Sequence, residues 1–457
     1  MQIDQSKLHL MKVDPRVETY TVGDDYLLDR RLVEADCFGS AAHASGLARI
    51  GLLSQEELRS LLEGLREIVL LDRQGRFEIR REQEDVHTAI ETHLTRTRGE
   101  VGKRIHAARS RNDQVVCALR LFGKWEMLRL SSSIASLARA AIELAERHEA
   151  VPMVGRTHMQ RAMPSSVGLW LGALAEALVD DLALLRAAYE LNDQCPLGSA
   201  ASYGVPVGLD REYVSKLLGF ARLQNNTLYV ANSRGKVEGA ILSACAQVML
   251  DLSRYAQDLM LFTMPEFGYF SIPAELCTGS SLMPQKRNPC VLELVRARTS
   301  TVLAEHERVM SIVKALPTGY NRDGQETKGP FMAGLDLTRA SVEMMELTLR
   351  GLEVHEERLL AGFHPEVFAT DRALELVAQG RPFRDAYREV KENLSALSAV
   401  DPREAIRRKT HAGATGNLGL EQVSRALQAH VDRTESEVRR AKEAFGGLMG
   451  LEGPAVL

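Results

Sequence analysis

The sequence predicts an all-α protein with a bundle of long helices at its centre, and three observations carry that expectation. Proline is absent between Pro15 and Pro152 and again between Pro206 and Pro265. Intervals of that length, rich in Leu, Ala, Glu and Arg, favour uninterrupted helices. Apolar residues recur through them at steps of three to five, the spacing of a helical face. Alternating Val/Ile/Thr/Tyr runs are scarce, and Phe77 to Arg80 is the best candidate strand.

The elements follow in order. From the N-terminus to Ala108 the chain is periodic and reads as helical. Cys117 to Glu149 presents Leu119, Phe122, Met127, Leu130, Ile134, Leu137, Ala141 and Leu144 as one face. Leu169 to Leu191 repeats the theme with Leu171, Leu174, Leu178, Leu182 and Leu185. Ala240 to Phe262 is apolar almost all round, which marks a helix buried on every side. A slim monomer offers it no place, so the bundle is expected to be buried in an oligomer, with cover by flanking domains as the alternative. With 457 residues the chain exceeds one typical core. Boundaries near Ala108 and in the Glu356 to Phe363 stretch divide it into three domains, 1–108, 109–358 and 359–457.

Composition narrows the function classes. Lys and Arg number 57 against 61 Asp and Glu, a net charge of −4, so the chain has no global pull toward nucleic acid or anionic membrane. The six cysteines are scattered without a Cys-x-x-Cys pair, which argues for reduced structural thiols and against a zinc site or disulfide framework. Met1 to Asp4 lacks a signal-peptide layout, and the uncharged run Ala162 to Ala175 is broken by Pro164 and is too short for a bilayer. A soluble, cytoplasmic protein with no membrane or nucleic-acid partner is expected.

Five polar segments stand outside the amphipathic patterns. Residues 84–91 hold Asp85, His87 and Glu91; the last two share a helix face at i, i+4, yet no third ligand lies near, so helix capping is preferred to a metal pair. Residues 109–114, Arg-Ser-Arg-Asn-Asp-Gln, precede the first long helix. Either Asn112 or Asp113 caps that helix, or Ser110, Arg111 and Asn112 bind a carboxylate at its N-terminus. Thr157 and His158 follow Gly155-Arg156 beside a turn. Residues 278–290 combine small residues, two serines, two prolines and the donors Lys286, Arg287 and Asn288, a basic segment suited to closing over an anionic substrate. Tyr320 to Lys328 is a polar loop containing Gln325.

The loop from Gly279 to Pro289 resembles the GSSxMPxKxNP loop of the fumarase/aspartase superfamily. The last four of these segments, with Leu197-Gly-Ser and Pro382-Phe383-Arg384, resemble in order and spacing those of the argininosuccinate lyase family, and the likeness runs from about Asp29 to Arg388. The resemblance implies elimination of fumarate from argininosuccinate to give arginine, by a lyase without metal or cofactor. Ser280 is then the base, His158 and Glu293 a histidine–carboxylate pair, and Lys286 a catalytic cation. Asn112, Thr157, Lys286 and Asn288 bind the fumarate carboxylates. Tyr320, Gln325 and Lys328 grip the amino-acid half, with Lys328 facing a carboxylate, and Asp85 and His87 stand at the site's edge. The family solution is a homotetramer whose sites are shared among subunits. Asp24-Asp25 stand where the family has a serine before Asp29, Arg156 where tyrosine is usual, and Ala108 for a glycine; the Trp-Gly-Gly-Arg-Phe opening is absent. These departures bear on how the non-fumarate half is held, so a related carbon–nitrogen lyase acting on another N-succinyl amine is the alternative.

Overall fold

The computed structural model describes residues 14–398 and 400–457, and the N-terminal stretch read above for a signal peptide lies outside them. Five long helices form the centre: Arg111–Arg147, Val167–Asn192, Lys236–Phe262, Cys290–Val313 and Lys328–Arg350. The Lys236 helix packs against the Val167, Cys290 and Lys328 helices, and the Arg111 helix against the Val167 and Lys328 helices. Leu420–Met449 returns along the Arg111 and Val167 helices, and Val33–Arg49 covers the Arg111 helix from the N-terminal side. A separate small core, Ala373, Leu376, Ala386 and Val390, joins Ala369–Ala378 to Phe383–Glu392.

Local chemistry explains where the longest helix begins. Ser110 is its N-cap: the hydroxyl accepts from Asn112 N at 3.2 Å, and Asp113 Oδ1 accepts from Ser110 N at 3.1 Å. The cap is therefore neither Asn112 nor Asp113, although Asp113 is the reciprocal partner. Its second oxygen accepts from Gly198 N and Ala200 N, both at 2.9 Å, and so fastens the Leu197-Gly-Ser segment to the helix start. Ala108, just upstream, has φ +57°, a left-handed conformation that only glycine adopts without strain.

Two expectations are corrected. Phe77 to Arg80 is not a strand: among the described residues no second strand lies beside it, and Arg80 N donates to Gln83 Oε1 at 2.8 Å instead. The main sheet is the antiparallel hairpin Pro152–Thr157 with Gln160–Ser166. Its turn residues, His158 and Met159, have φ of +51° and +64°. That geometry is usually signalled by Asn-Gly, which is absent here.

The second correction concerns the apolar helix. Ile241, Leu242, Val248, Met249, Leu252 and Leu259 are buried within the single chain by the neighbouring central helices, without a second copy. What remains exposed on the bundle is a scatter that includes Leu184, Leu250, Leu294, Leu303, Met310 and Leu347. No helix among the described residues is long and apolar enough to cross a membrane.

Candidate functional site

At the N-terminal end of the Arg111 helix lies a cavity of about 240 Å³. It collects Asp85, His87, Arg111, Asn112, Tyr320, Gln325 and Lys328 from three distant stretches of sequence, together with Asp25, Asp29 and Arg234. Asp85 reaches it as the N-cap of Val86–Arg98, accepting from Thr88 N at 2.8 Å, so the capping role expected of this segment is real. Tyr320 and Gln325 reach it on the loop and 3₁₀ turn that lead into the Lys328 helix. That turn is tied to the N-terminal segment: Gln325 Nε2 and Arg322 Nη2 donate to Thr21 O at 3.0 and 2.9 Å.

Most of the cavity's charge is already neutralised. Lys328 is buried, and its Nζ lies 2.5 Å from Asp25 Oδ1 and 2.6 Å from Asp29 Oδ1. The carboxylates that Lys328 faces are thus those of its own chain. Asp29 Oδ2 also accepts from Val86 N at 3.0 Å and helps start that helix. Burial pushes the Asp25 carboxyl above its usual range; nearby Lys328 opposes that shift and Asp29 adds to it. Arg111 Nη1 lies 3.5 Å from Asp85 and 3.9 Å from Glu84.

His87 is paired with buried Asp36, and Glu91 lies near His106 rather than on a shared ligand site. Burial alone would lower the His87 pKa, but the Asp36 carboxylate outweighs it and the pKa is raised. For Asp36 burial opposes ionisation, and the imidazolium with Arg109 and Gln114 still holds its pKa below the usual value. Asp36 Oδ1 also accepts from Gln114 Nε2 at 2.9 Å and Ser40 Oγ at 3.2 Å, and Arg109 Nη1 donates to Ser40 Oγ at 2.8 Å. The 109–114 segment is therefore fastened to the N-terminal Val33–Arg49 helix through Arg109 and Gln114.

The other assigned residues are elsewhere. Ser280 opens the connection between two-residue strands, Thr278–Gly279 and Arg287–Asn288. Its Oγ accepts from Met283 N at 3.0 Å and Leu282 N at 3.3 Å. Lys286 and Glu293 are exposed, Asn288 is half-buried, and Leu282 points outward with 84% exposure. Thr157 and His158 are exposed at the hairpin tip. Among the described residues no hydrogen bond or ion pair joins His158 to Glu293, or either to the cavity. Arg156, the departure beside them, packs its guanidinium 5.0 Å from the Phe267 ring centroid.

Chain geometry forbids a closer meeting. The helix carries the backbone about 53 Å from Asn112 to Arg147 at ~1.5 Å per residue. The ten residues on to Thr157 recover at most about 35 Å. Asn112 and Thr157 of one chain thus stay at least ~18 Å apart, backbone to backbone, by the same two measures. One copy assembles Asp85, Arg111, Asn112, Tyr320, Gln325 and Lys328; it leaves Thr157, His158, Ser280, Lys286, Asn288 and Glu293 outside that cavity.

Four participants escaped the sequence reading. Asp113 lies inside the 109–114 segment, where its sequence signal is that of a cap, whereas no motif marks Asp36. Asp25 stands out in sequence only as a departure from the family pattern, and its pairing with Lys328 arises from the fold. Arg234 carries no sequence signal beyond its place before a helix.

Comparison with known proteins gives the family and the fold. Residues 11–304 match the protein family described as Lyase. An argininosuccinate lyase from Sorangium cellulosum is 45% identical over 417 residues, 91% of this chain and 97% of that protein. One from Thermotoga neapolitana is 45% identical over 380 residues, covering 83% and 96%. An EDDS lyase crystallised with formate superimposes with a TM-score of 0.79 at 22% identity, over 97% of this chain and 95% of that one. A class II fumarase from Schistosoma mansoni gives 0.72 at 15%, over 86% and 95%. These two likenesses establish a common helical fold.

Proposed function

We propose that this chain, which belongs to the argininosuccinate lyase family, catalyses the reversible elimination of fumarate from argininosuccinate to give arginine. The carrying observation is the convergence of Asp85, Arg111, Asn112, Tyr320, Gln325 and Lys328 on one cavity from distant stretches of sequence. Tyr320, Gln325 and Lys328 hold the amino-acid half there, Asp85 and His87 border it, and Ser110, Arg111 and Asn112 bring the helix N-terminus to the succinyl half. Thr157, Lys286 and Asn288 complete the carboxylate grip from other copies of the chain. The functional unit is a homotetramer in the cytoplasm, with each site shared among subunits and each chain divided at about 108 and 358. The helix-length bound supports sharing, because it holds Asn112 and Thr157 of one copy at least ~18 Å apart, backbone to backbone.

The chemistry follows from where charge develops. The base takes the proton from the carbon beside a carboxylate, and that carboxylate becomes a dianionic aci-form held by concentrated donors and cations. The electron pair then forms the carbon–carbon double bond, and the carbon–nitrogen bond breaks with its pair leaving on the guanidino nitrogen. His158, oriented by Glu293, delivers the proton that this nitrogen takes up. Ser280 is the base. A serine alkoxide needs stabilisation, and the backbone N–H groups of Leu282 and Met283 already donate to its oxygen. Loop closure with Lys286 would exclude water and strengthen that stabilisation.

The test is direct: purified protein should release fumarate from argininosuccinate, followed by its ultraviolet absorbance. Absence of release under conditions where the protein is folded and assembled rejects the assignment. A second reading, a different N-succinyl amine as substrate, is favoured by one feature, the Asp25 carboxylate in the cavity where the family has a serine. Faster release from such a compound than from argininosuccinate decides for it. Mixing a Ser280→Ala chain with a His158→Asn chain should restore part of the activity that each lacks. If mixed assemblies form and stay inactive, site sharing is wrong.

A further inference from the structure

We infer that Lys409 is a positioning residue for His158. Through the carbonyl of Pro164 it fixes the bend in the hairpin that carries Thr157 and His158, so the C-terminal segment sets where that imidazole stands. This rests on the proposed function, in which His158 delivers the proton to the leaving nitrogen. It concerns a residue outside the cavity and outside every motif read from the sequence.

The hairpin has to be aimed from below its tip. Thr157 to Arg161 are exposed, and the turn residues His158 and Met159 stand at positive φ. The direction of the tip therefore comes from the strands. Their register slips between Val154 and Arg156, a bulge with Gly155 at its centre. A Cβ on Gly155 would stand 3.0 Å from Met163 O, so the opposite strand closes tightly over the bulge. A bulge bends its strand and re-aims the side chains beyond it, here Thr157 and His158. Pro164 lies opposite Val154 at this bend, is buried, and has no N–H to give the ladder.

Lys409 grips that point. Its Nζ donates to Pro164 O at 2.7 Å, and among the described residues it is the one side chain outside the hairpin that hydrogen-bonds to it. The grip is anchored in turn. Lys409 O accepts from Gly416 N at 3.0 Å, and Thr415 Oγ1 donates to Ile406 O at 2.7 Å, which closes the 406–416 segment on itself. A Cβ on Gly416 would stand 2.6 Å from Arg407 O, so only glycine lets that segment close. Pro402–Arg407, just upstream, packs against both hairpin strands. The ammonium is half-buried, with Asp371 Oδ1 4.0 Å away. Burial lowers the Lys409 pKa, and Asp371 opposes that shift. A cation partly withdrawn from water and only loosely paired with an acid gives its firmest hydrogen bond to the carbonyl.

The experiment substitutes Lys409 in the full chain and follows fumarate release. Lys409→Met removes the donor and keeps most of the stem; kcat should fall about 10- to 100-fold, the scale of a reacting group displaced by about an ångström. Lys409→Arg, which keeps a cation and a donor, should recover most of that loss. Arginine binding by calorimetry should not change, since the hairpin contributes nothing to the cavity. Double substitutions separate positioning from general damage. Added to His158→Asn, Lys409→Met should cost less than about threefold, because the group it places is gone. Added to Tyr320→Phe in the cavity, it should cost its full factor. Amide hydrogen exchange keeps a failure here apart from a failure of the functional reading, because it needs no turnover. Lys409→Met should speed exchange across residues 153–166 and leave the Arg111–Arg147 helix unchanged. Unmoved hairpin exchange, weakened arginine binding, or a full further loss in His158→Asn overturns the inference. Faster hairpin exchange sustains the anchor even in a chain that releases no fumarate.

Discussion

The two ends of the bundle are built differently. Around the cavity, Asp29, Asp36, His87, Lys328 and Asp113 are buried, and each is committed to partners within the chain. The Ser280 loop and the His158 hairpin present half-buried or exposed side chains, joined to the rest mainly through backbone. On the proposed reading the first region is a preorganised receptor, because its charges are paired within the chain. The second holds the groups assigned to proton transfer, which gain their environment only from what closes over them. On that reading, binding and chemistry depend on different kinds of structure.

Mutation at the two ends should separate these roles. The largest effect is expected at Ser280: Ser280→Ala should cut turnover about a thousandfold, the scale of losing a positioned base. Its thermal unfolding should move by no more than about 0.5 kcal/mol, because a loop hydroxyl contributes little to folding. Fumarate release and a melting curve check both, and near-normal turnover removes Ser280 from its role. Asp29→Ala should do the reverse to stability. It strips a buried lysine of one carboxylate and Val86 N of its acceptor, at a cost of about 3–5 kcal/mol. Urea unfolding at fixed protein concentration reads it, and a change under about 1 kcal/mol would mean that the triad is not a structural unit.

The His87–Asp36 pair gives the comparison a pH dependence. The raised His87 pKa makes its contribution complete below the unfolded value near ~6.5, and that contribution is lost as pH rises through the folded value. The depressed Asp36 pKa makes its own contribution complete above about 4 and lost as pH falls through the folded value. The stability gap between the unaltered protein and His87→Gln should therefore be widest between roughly pH 4 and 6.5 and shrink on the alkaline side. A gap that widens from pH 7 to 9 contradicts the assignment. The smallest effect is expected at Ser281→Ala, within a few-fold of normal turnover. If that variant is dead and Ser280→Ala is active, the base is the second serine of the loop.

How much was legible in the sequence depended on whether a feature was periodic, local or long-range. The helices could be read because stripes such as Leu171, Leu174, Leu178, Leu182 and Leu185 repeat with the helical period. The hairpin could not, since its turn is His158-Met159 held at positive φ without glycine or asparagine. The motifs marked most of the cavity wall, yet they said nothing of what Lys328 touches, because Asp25 lies three hundred residues away and pairs only through the fold. Arg234 was invisible for the same reason: its burial in the cavity wall beside Tyr320 and Gly324 is a property of packing. The apolar Lys236 helix was read correctly as buried but for the wrong cover, since periodicity cannot tell a neighbouring helix from a neighbouring subunit.

A rod of 37 residues between Ser110 and His148 also makes turnover a matter of concentration. On the shared-site reading a lone copy owns a receptor at one end and reacting groups at the other, with no means of folding one onto the other. Activity per chain should then fall on dilution, along the same curve as the scattering mass. An excess of Ser280→Ala chains should poison active ones by occupying their assemblies.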